Sequence, residues 1–290
     1  MARKVTIRQA TLGFLRLIRT QNLLIIIFTQ YFTRTFLIGS PSKWIEYLRE
    51  KDLALICLST VLIAAAGYII NDYYDIKIDL INKPDRVVIG RLIKRRWAMV
   101  INQSFNVLGI LIGLLVSRKV FAVNLFAVFC LWIYSNQLKR TAFWGNLTVA
   151  IMTGLSLLVL AAFYSGHQKE VWIYAIFSFC ITLIREIIKD MEDVKGDAAH
   201  GCKTLPILWG IARTKWLLYI FIASFLTILF AFTTQLPNSQ IGYIFLIGLL
   251  PIGYLTYKLV LADTKKDFAF LSNFCKVIML LGVLSMGFAN

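Results

Sequence analysis

Long apolar runs separated by short charged stretches dominate the chain. Residues 53–70, 97–117, 120–138 and 141–165 contain no charged side chain. Each is at or near the ~18–20 residues that cross a bilayer as a helix. Reading the remaining runs the same way predicts nine spans: 12–38, 53–70, 97–117, 120–134, 143–164, 171–188, two within 216–257, and 268–288. The 216–257 stretch is too long for one crossing. Thr233, Thr234, Gln235, Pro237 and Asn238 supply the polar, proline-containing break that divides it. The first span embeds Arg16, Arg19, Asn22 and Arg34, the sixth ends in Arg185 and Glu186, and the last encloses Lys276. Continuous rather than alternating apolar runs argue against a β-barrel. The expected fold class is all-α, a polytopic membrane protein forming one domain over residues 1–290.

Composition agrees. Hydrophobic residues make up 59% and charged residues 16%, with a mean hydropathy of +0.72. Soluble chains average ~45–50% apolar and ~25% charged, so a soluble enzyme, a disordered chain and a disulfide scaffold are excluded. Cys57, Cys130, Cys180 and Cys275 fall within spans and Cys202 lies alone in a loop, without metal or disulfide spacing. With His167 and His200 the only histidines, a His-based metal site is not expected.

The net charge of +16 would suggest nucleic acid in a soluble protein, but its distribution gives it another meaning. With nine spans, 23 of the 31 basic residues fall on the side of the N-terminus. The positive-inside rule then makes that side cytoplasmic, in the plasma membrane, with no nucleic acid partner. The first apolar run is followed by no secretory cleavage pattern. Arg34 reads as a residue snorkelling at the outer end, and Arg91, Lys94, Arg95 and Arg96 as a topology signal touching lipid headgroups.

Six acidic residues form two copies of one pattern. Asp72, Asp75 and Asp79 follow the second span, and each recurs 118 residues later, as Asp190, Asp193 and Asp197 after the sixth. Each copy leads into a basic loop containing Gly and Pro and then a Trp, Trp97 or Trp216. An internal duplication is expected, with units at roughly 50–135 and 168–260. The spacing i, i+3, i+7 sets three carboxylates on one helix face. A single acidic run is most often a solvated surface; two copies at one spacing on one membrane face are poorly explained that way. Such faces repel themselves unless a strong positive charge compensates. Oxygen ligands favour Mg²⁺, which completes its octahedron with water and substrate phosphates. A diphosphate substrate bridged by Mg²⁺ is therefore expected at the cytoplasmic helix ends. Arg86 and Lys139 follow the first motif and the fourth span, and Arg19 and Asn22 share a face of the first span. These are the candidate diphosphate binders.

At these residues the sequence resembles the UbiA family of intramembrane prenyltransferases. The matching segments are NDYYDIKIDLINKPDR (71–86), YSNQLKR (134–140) with Gly145 and Asn146 following, and REIIKDMEDVKGDAAHGCKTLPILWG (185–210). The resemblance implies a nine-helix bundle that moves a polyprenyl group from its diphosphate to an acceptor. It implies that Asn71, Asp75, Asp193 and Asp197 bind Mg²⁺, with Asp72, Asp79 and Asp190 supporting. It further implies diphosphate contacts from Arg86 and Lys139, and a place for Tyr134 near the ionising carbon. Asp75, Asp193, Tyr134 and Lys139 are thus the expected catalytic set. A water-poor pocket lined by aromatic faces would shelter the developing cation, with Tyr68, Tyr73, Tyr74, Tyr134 and Phe163 as candidates. The partners are a polyprenyl diphosphate, a hydrophobic or amphipathic acceptor and the bilayer. The finer match leans to the branch that makes archaeal-type ether lipids, with a geranylgeranyl donor and geranylgeranylglycerol phosphate as acceptor. Aromatic acceptors (4-hydroxybenzoate, naphthoate or homogentisate) are the alternative. That branch continues after the arginine with Pro-Ile-Pro-Ser-Gly, whereas here Arg86 is followed by Val87-Val88-Ile89-Gly90. A cation or solute transporter built on an internal repeat is the reading from a different class. It is disfavoured by carboxylates at helix ends on one side.

Overall fold

The structure is a computed structural model, and it describes residues 6–164, 168–233 and 239–288. Among these the chain is all-helical. Helices α1 (Ile7–Leu17), α2 (Thr20–Phe32), α3 (Trp44–Leu48), α4 (Lys51–Asn82), α5 (Arg95–Val116) and α6 (Arg118–Asn136) come first. Then follow α7 (Trp144–Phe163), α8 (Gln168–Ala199), α9 (Leu205–Thr233), α10 (Ser239–Leu261) and α11 (Lys265–Ser285). Seven of the described helices are long and apolar enough to cross a membrane, and the bent pair formed by α1 and the 20–38 segment makes an eighth. In α10 the apolar stretch is Gly248–Leu261. This is an integral membrane protein. Thr234, Gln235, Pro237 and Asn238, the expected break, lie outside the described residues, between the ends of α9 and α10.

The expected first span is not one helix. The chain bends by 51° between Leu17 and Thr20, at Arg19, whose φ is +52°. Left-handed backbone costs a residue with a Cβ ~1–2 kcal/mol, so the surrounding contacts must hold it there. Beyond α2 the helix continues as a π-helical segment, Thr33–Ile38.

The described chain forms two compact units. The first holds residues 6–28 and 51–138, with α4 packed against α5 and α6. Apolar side chains give no net drive for helices to associate within lipid, so buried amides and close packing contribute. Asn102 Nδ2 donates to the Ala66 carbonyl at 2.8 Å and Asn124 Nδ2 to that of Gly109 at 3.0 Å. The loop between α4 and α5 is anchored rather than dangling. Val88 and Ile89 are buried with Leu17, Ile69 and Ala98. Gly90 turns the chain at φ +88° so that its N–H reaches the Ile93 carbonyl at 2.8 Å. Arg91 donates to the Pro84 carbonyl at 2.8 Å, and Arg95 lies 4.7 Å over the Tyr73 ring. These two members of the expected headgroup cluster also brace the loop.

The second unit holds 29–50 and the described residues from 139 on. Here α8 is central, packing against α7, α9 and α11. Ile181, Ile184, Ile187 and Ile188 repeat at helical spacing and are at most 1% exposed. Helix α9 is kinked at Gly210, where φ is +78°. Arg34, expected at the outer end of the first span, is tied to named partners. Its Nε donates to Glu50 Oε2 at 2.9 Å, and its guanidinium lies 3.9 Å over Tyr47 and 4.4 Å over Tyr164. Tyr164 donates to the other Glu50 oxygen at 2.7 Å. The arginine is stabilised there by its ion pair and two ring faces.

Candidate active site

The first acidic motif continues the helix of its span, as its spacing predicts. It is the last three turns of α4, which runs for 32 residues without interruption. Helix geometry therefore holds Asn71, Asp72, Asp75 and Asp79 at fixed positions along one element. The bend at Arg19 delivers a cation to them. Arg19 Nη2 donates to Asp72 Oδ1 at 2.9 Å, while the guanidinium lies 4.7 Å over the Tyr68 ring. Asn22 Nδ2 donates to the Tyr68 hydroxyl at 3.4 Å. Tyr134, at the C-terminal end of α6, is close enough to Arg19 to interact with it electrostatically. Thus Arg19, Asn22, Tyr68, Asp72 and Tyr134 form one cluster in the first unit. Two rings of the expected cation lining are already engaged: Tyr68 by Arg19 and Tyr73 by Arg95. Arg86 closes a single 3₁₀ turn, Pro84–Arg86, and its side chain lies outside the described residues.

The second motif likewise continues its helix. α8 also has 32 residues and carries Asp190, Asp193 and Asp197 in its last three turns. Asp190 has a neutral partner, since Asn146 Nδ2 donates to its Oδ2 at 2.8 Å. Asp197 is near enough to repel Asp190. One turn earlier, buried Glu186 accepts from Arg185 and, at 3.4 Å, from Lys189. Lys139 stands half-buried on the 3₁₀ turn Leu138–Arg140, and the Arg140 carbonyl accepts from Lys203 N–H at 2.8 Å. That bond ties the turn to the loop after α8.

Asn146 enters the sequence reading only among the residues that carry the family resemblance, without a role, and the structure adds its bond to Asp190. Its signal was its place beside Gly145, a polar amide one turn into an otherwise apolar helix. Its Oδ1 is buried and accepts no hydrogen bond from a described residue. Asn71 and Asp193 each bury an oxygen too. Among the described residues no three His, Cys, Asp or Glu side chains converge to hold an ion by themselves. Oxygen donors drawn from amides and carboxylates, short of a full shell, fit Mg²⁺, which keeps water and phosphate ligands.

The UbiA prenyltransferase family profile matches residues 34–280, and the chain belongs to that family; it is a prenyltransferase. It is 35% identical over 266 residues to the digeranylgeranylglyceryl phosphate synthase of Metallosphaera sedula, covering 88% of this chain and 87% of that one. It is 32% identical to the synthase of the same name from Saccharolobus solfataricus, covering 84% and 86%. The fold is similar to a solved structure concerned with digeranylgeranylglyceryl phosphate synthase in membranes, with a TM-score of 0.74, 23% identity and coverage of 97% and 98%. It is also similar to a UbiA homolog from Archaeoglobus fulgidus bound to GPP and Mg²⁺, with a TM-score of 0.66, 17% identity and coverage of 94% and 99%.

Proposed function

We propose that this prenyltransferase moves a geranylgeranyl group from its diphosphate to geranylgeranylglycerol phosphate, using Mg²⁺. The observation that carries the choice of acceptor is the similarity, along 88% of the chain, to a digeranylgeranylglyceryl phosphate synthase. The chemistry follows from the residues. Asn71 and Asp75 of α4 and Asp193 and Asp197 of α8 hold Mg²⁺, supported by Asp72, Asp79, Asp190 and Asn146. Bound Mg²⁺ neutralises the diphosphate as it leaves, lowering the barrier to breaking the C1–O bond. Arg19, Arg86 and Lys139 bind phosphate oxygens, Arg19 from a position set by Asp72 and Asn22 from beside Tyr68. Tyr134 faces the ionising carbon. The prenyl tail and the lipid acceptor are apolar, which supports a site reached from the bilayer.

In the same reading the chain crosses the membrane nine times, α1 with the 20–38 segment and α10 supplying the two crossings beyond the seven long helices. The N-terminus and both acidic helix ends face the cytoplasm, as the basic loops indicate. The two acidic helices, equal in length and matched in carboxylate spacing, descend from an internal duplication.

The test is a product assay. Purified protein in nanodiscs, with Mg²⁺ and geranylgeranyl diphosphate, is offered geranylgeranylglycerol phosphate, 4-hydroxybenzoate, a naphthoate and homogentisate, and products are read by mass spectrometry. The expected product is the ether formed on the glycerol phosphate, lost on chelating Mg²⁺. Product on an aromatic acceptor alone would overturn the acceptor assignment.

A further inference from the structure

In the first unit α4, α5 and α6 enclose a cleft of about 290 Å³. Its lining includes Gly67 of α4, Gln103 and Asn106 of α5, and Phe129, Leu131 and Trp132 of α6, with no charged side chain. The amides stand about 12 and 16 Å along the helix from Arg95, at ~1.5 Å per residue. The Arg95–Trp97 end belongs at headgroup level, so both amides lie at hydrocarbon depth. Their neighbour Asn102 is buried and bonded to the Ala66 carbonyl. Gln103 is exposed, Asn106 is half-buried, and neither bonds to any described residue. Unpaired amides facing hydrocarbon are costly, and a helix that only meets lipid gains nothing from them.

The cleft's shape and chemistry select an occupant. A helix is ~10 Å wide, too broad to enter so small a cleft, which disfavours a second copy of the chain. The lining has no cation to meet a phosphate, which disfavours a phospholipid. The volume sits at the lower end of ligand pockets, ~300–1,000 Å³. Exposed Phe129 and Trp132 offer apolar faces at the mouth. We propose that this cleft binds an uncharged single-chain lipid bearing a hydroxyl or carbonyl group, which enters from the bilayer and hydrogen-bonds Gln103 and Asn106. None of the lining residues is one to which the diphosphate chemistry is assigned. Gly67 and Ile70 line the cleft, whereas Tyr68 and Asp72 of the same helix engage Arg19.

A tetradecanol carrying a photoreactive diazirine tests the proposal on the full chain in nanodiscs. Irradiation should label α6 between Leu125 and Trp132. Excess tetradecanol should compete and tetradecane should not. The double variant Gln103→Leu/Asn106→Leu should fold, since leucine suits a lipid-facing helix. Its labelling should fall about five-fold or more, as expected for losing hydrogen bonds in a membrane, while prenyl transfer stays within about two-fold of the parent. Labelling spread evenly along α5 and α6, or equal competition by tetradecane, would overturn the proposal. So would a dimer that the double variant converts to monomer in light scattering, which would assign the amides to a second copy. Each readout is independent of the acceptor that the enzyme uses.

Discussion

Helices α4 and α8 are matched in length and carry carboxylates at the same spacing, yet they compensate those carboxylates differently. In the first unit Asp72 meets a cation, Arg19, delivered by a bent backbone from another helix. In the second, Asp190 at the equivalent place meets the neutral amide of Asn146. The leading carboxylate of α4 is therefore paired with a cation and that of α8 with a neutral amide. The pattern of acidic residues encodes where the charges stand. The elements packed against each helix decide what answers them. We read the contrast as a division of labour between the two counter-groups: the cation beside Asp72 serves the anionic diphosphate, and the amide beside Asp190 serves the carboxylates that hold the divalent ion.

The largest effect should come from removing a carboxylate on either helix. Asp75→Asn and Asp193→Asn each delete a charge without changing shape, and prenyl transfer should fall ~100-fold or more, as expected for losing a ligand to a catalytic metal. Both variants should keep the parent's melting behaviour in detergent. Near-parental activity in either would mean that one acidic helix is scaffold alone, and the comparison would collapse.

A sharper contrast comes from the counter-groups. Arg19→Ala should raise KM for the prenyl diphosphate ~10-fold, the scale of a lost charged hydrogen bond, with little change in the Mg²⁺ concentration giving half-maximal rate. Asn146→Ala should do the reverse, raising that Mg²⁺ concentration ~10-fold, as losing a partner of a metal ligand does. The Arg19 effect should weaken as salt screens the pair, and the Asn146 effect should not. If both variants shift the same parameter, the division of labour between the halves is wrong.

Much of this was legible in the residues themselves. Apolar run lengths marked α5, α6, α7 and α11 within about three positions, whereas α4 and α8 run on past their apolar stretches through the acidic motifs and α9 begins well before its own, at Leu205; the repeated Asp spacing located both acidic faces. What stayed hidden depended on contacts between segments distant in sequence. Nothing at Ile18, Arg19 or Thr20 signals a break, because no Gly or Pro marks the bend. The strain there is offset by bonds to Asp72 and Tyr68, 53 and 49 residues away. Arg34 and Glu50 are separated by a turn and a short helix, so no periodicity pairs them. Val88 and Ile89 stood out in the sequence only as a departure from the pattern of the ether-lipid branch, and their burial against Leu17 and Ile69 became visible in the structure.

The smallest effect tests the turns that follow the two acidic helices. Each turn uses a glycine with left-handed backbone, Gly90 at φ +88° after α4 and Gly201 at φ +69° after α8. A methyl group added at either would meet nothing within 4 Å, so a substitution probes the backbone alone. Gly90→Ala and Gly201→Ala should each cost about 1 kcal/mol, read as a lower melting midpoint in detergent. Their functional effects should differ even so. The Gly90 turn is pinned into the core by Val88 and Ile89, so the strain should stay local and KM for the diphosphate should hold. The Gly201 turn lies beside Cys202, whose N–H donates to the Asp197 carbonyl at 3.0 Å. Strain there reaches the last carboxylate of α8 directly, and the Mg²⁺ requirement should rise. Equal changes in Mg²⁺ requirement for the two variants would show that neither turn reports on its own acidic helix.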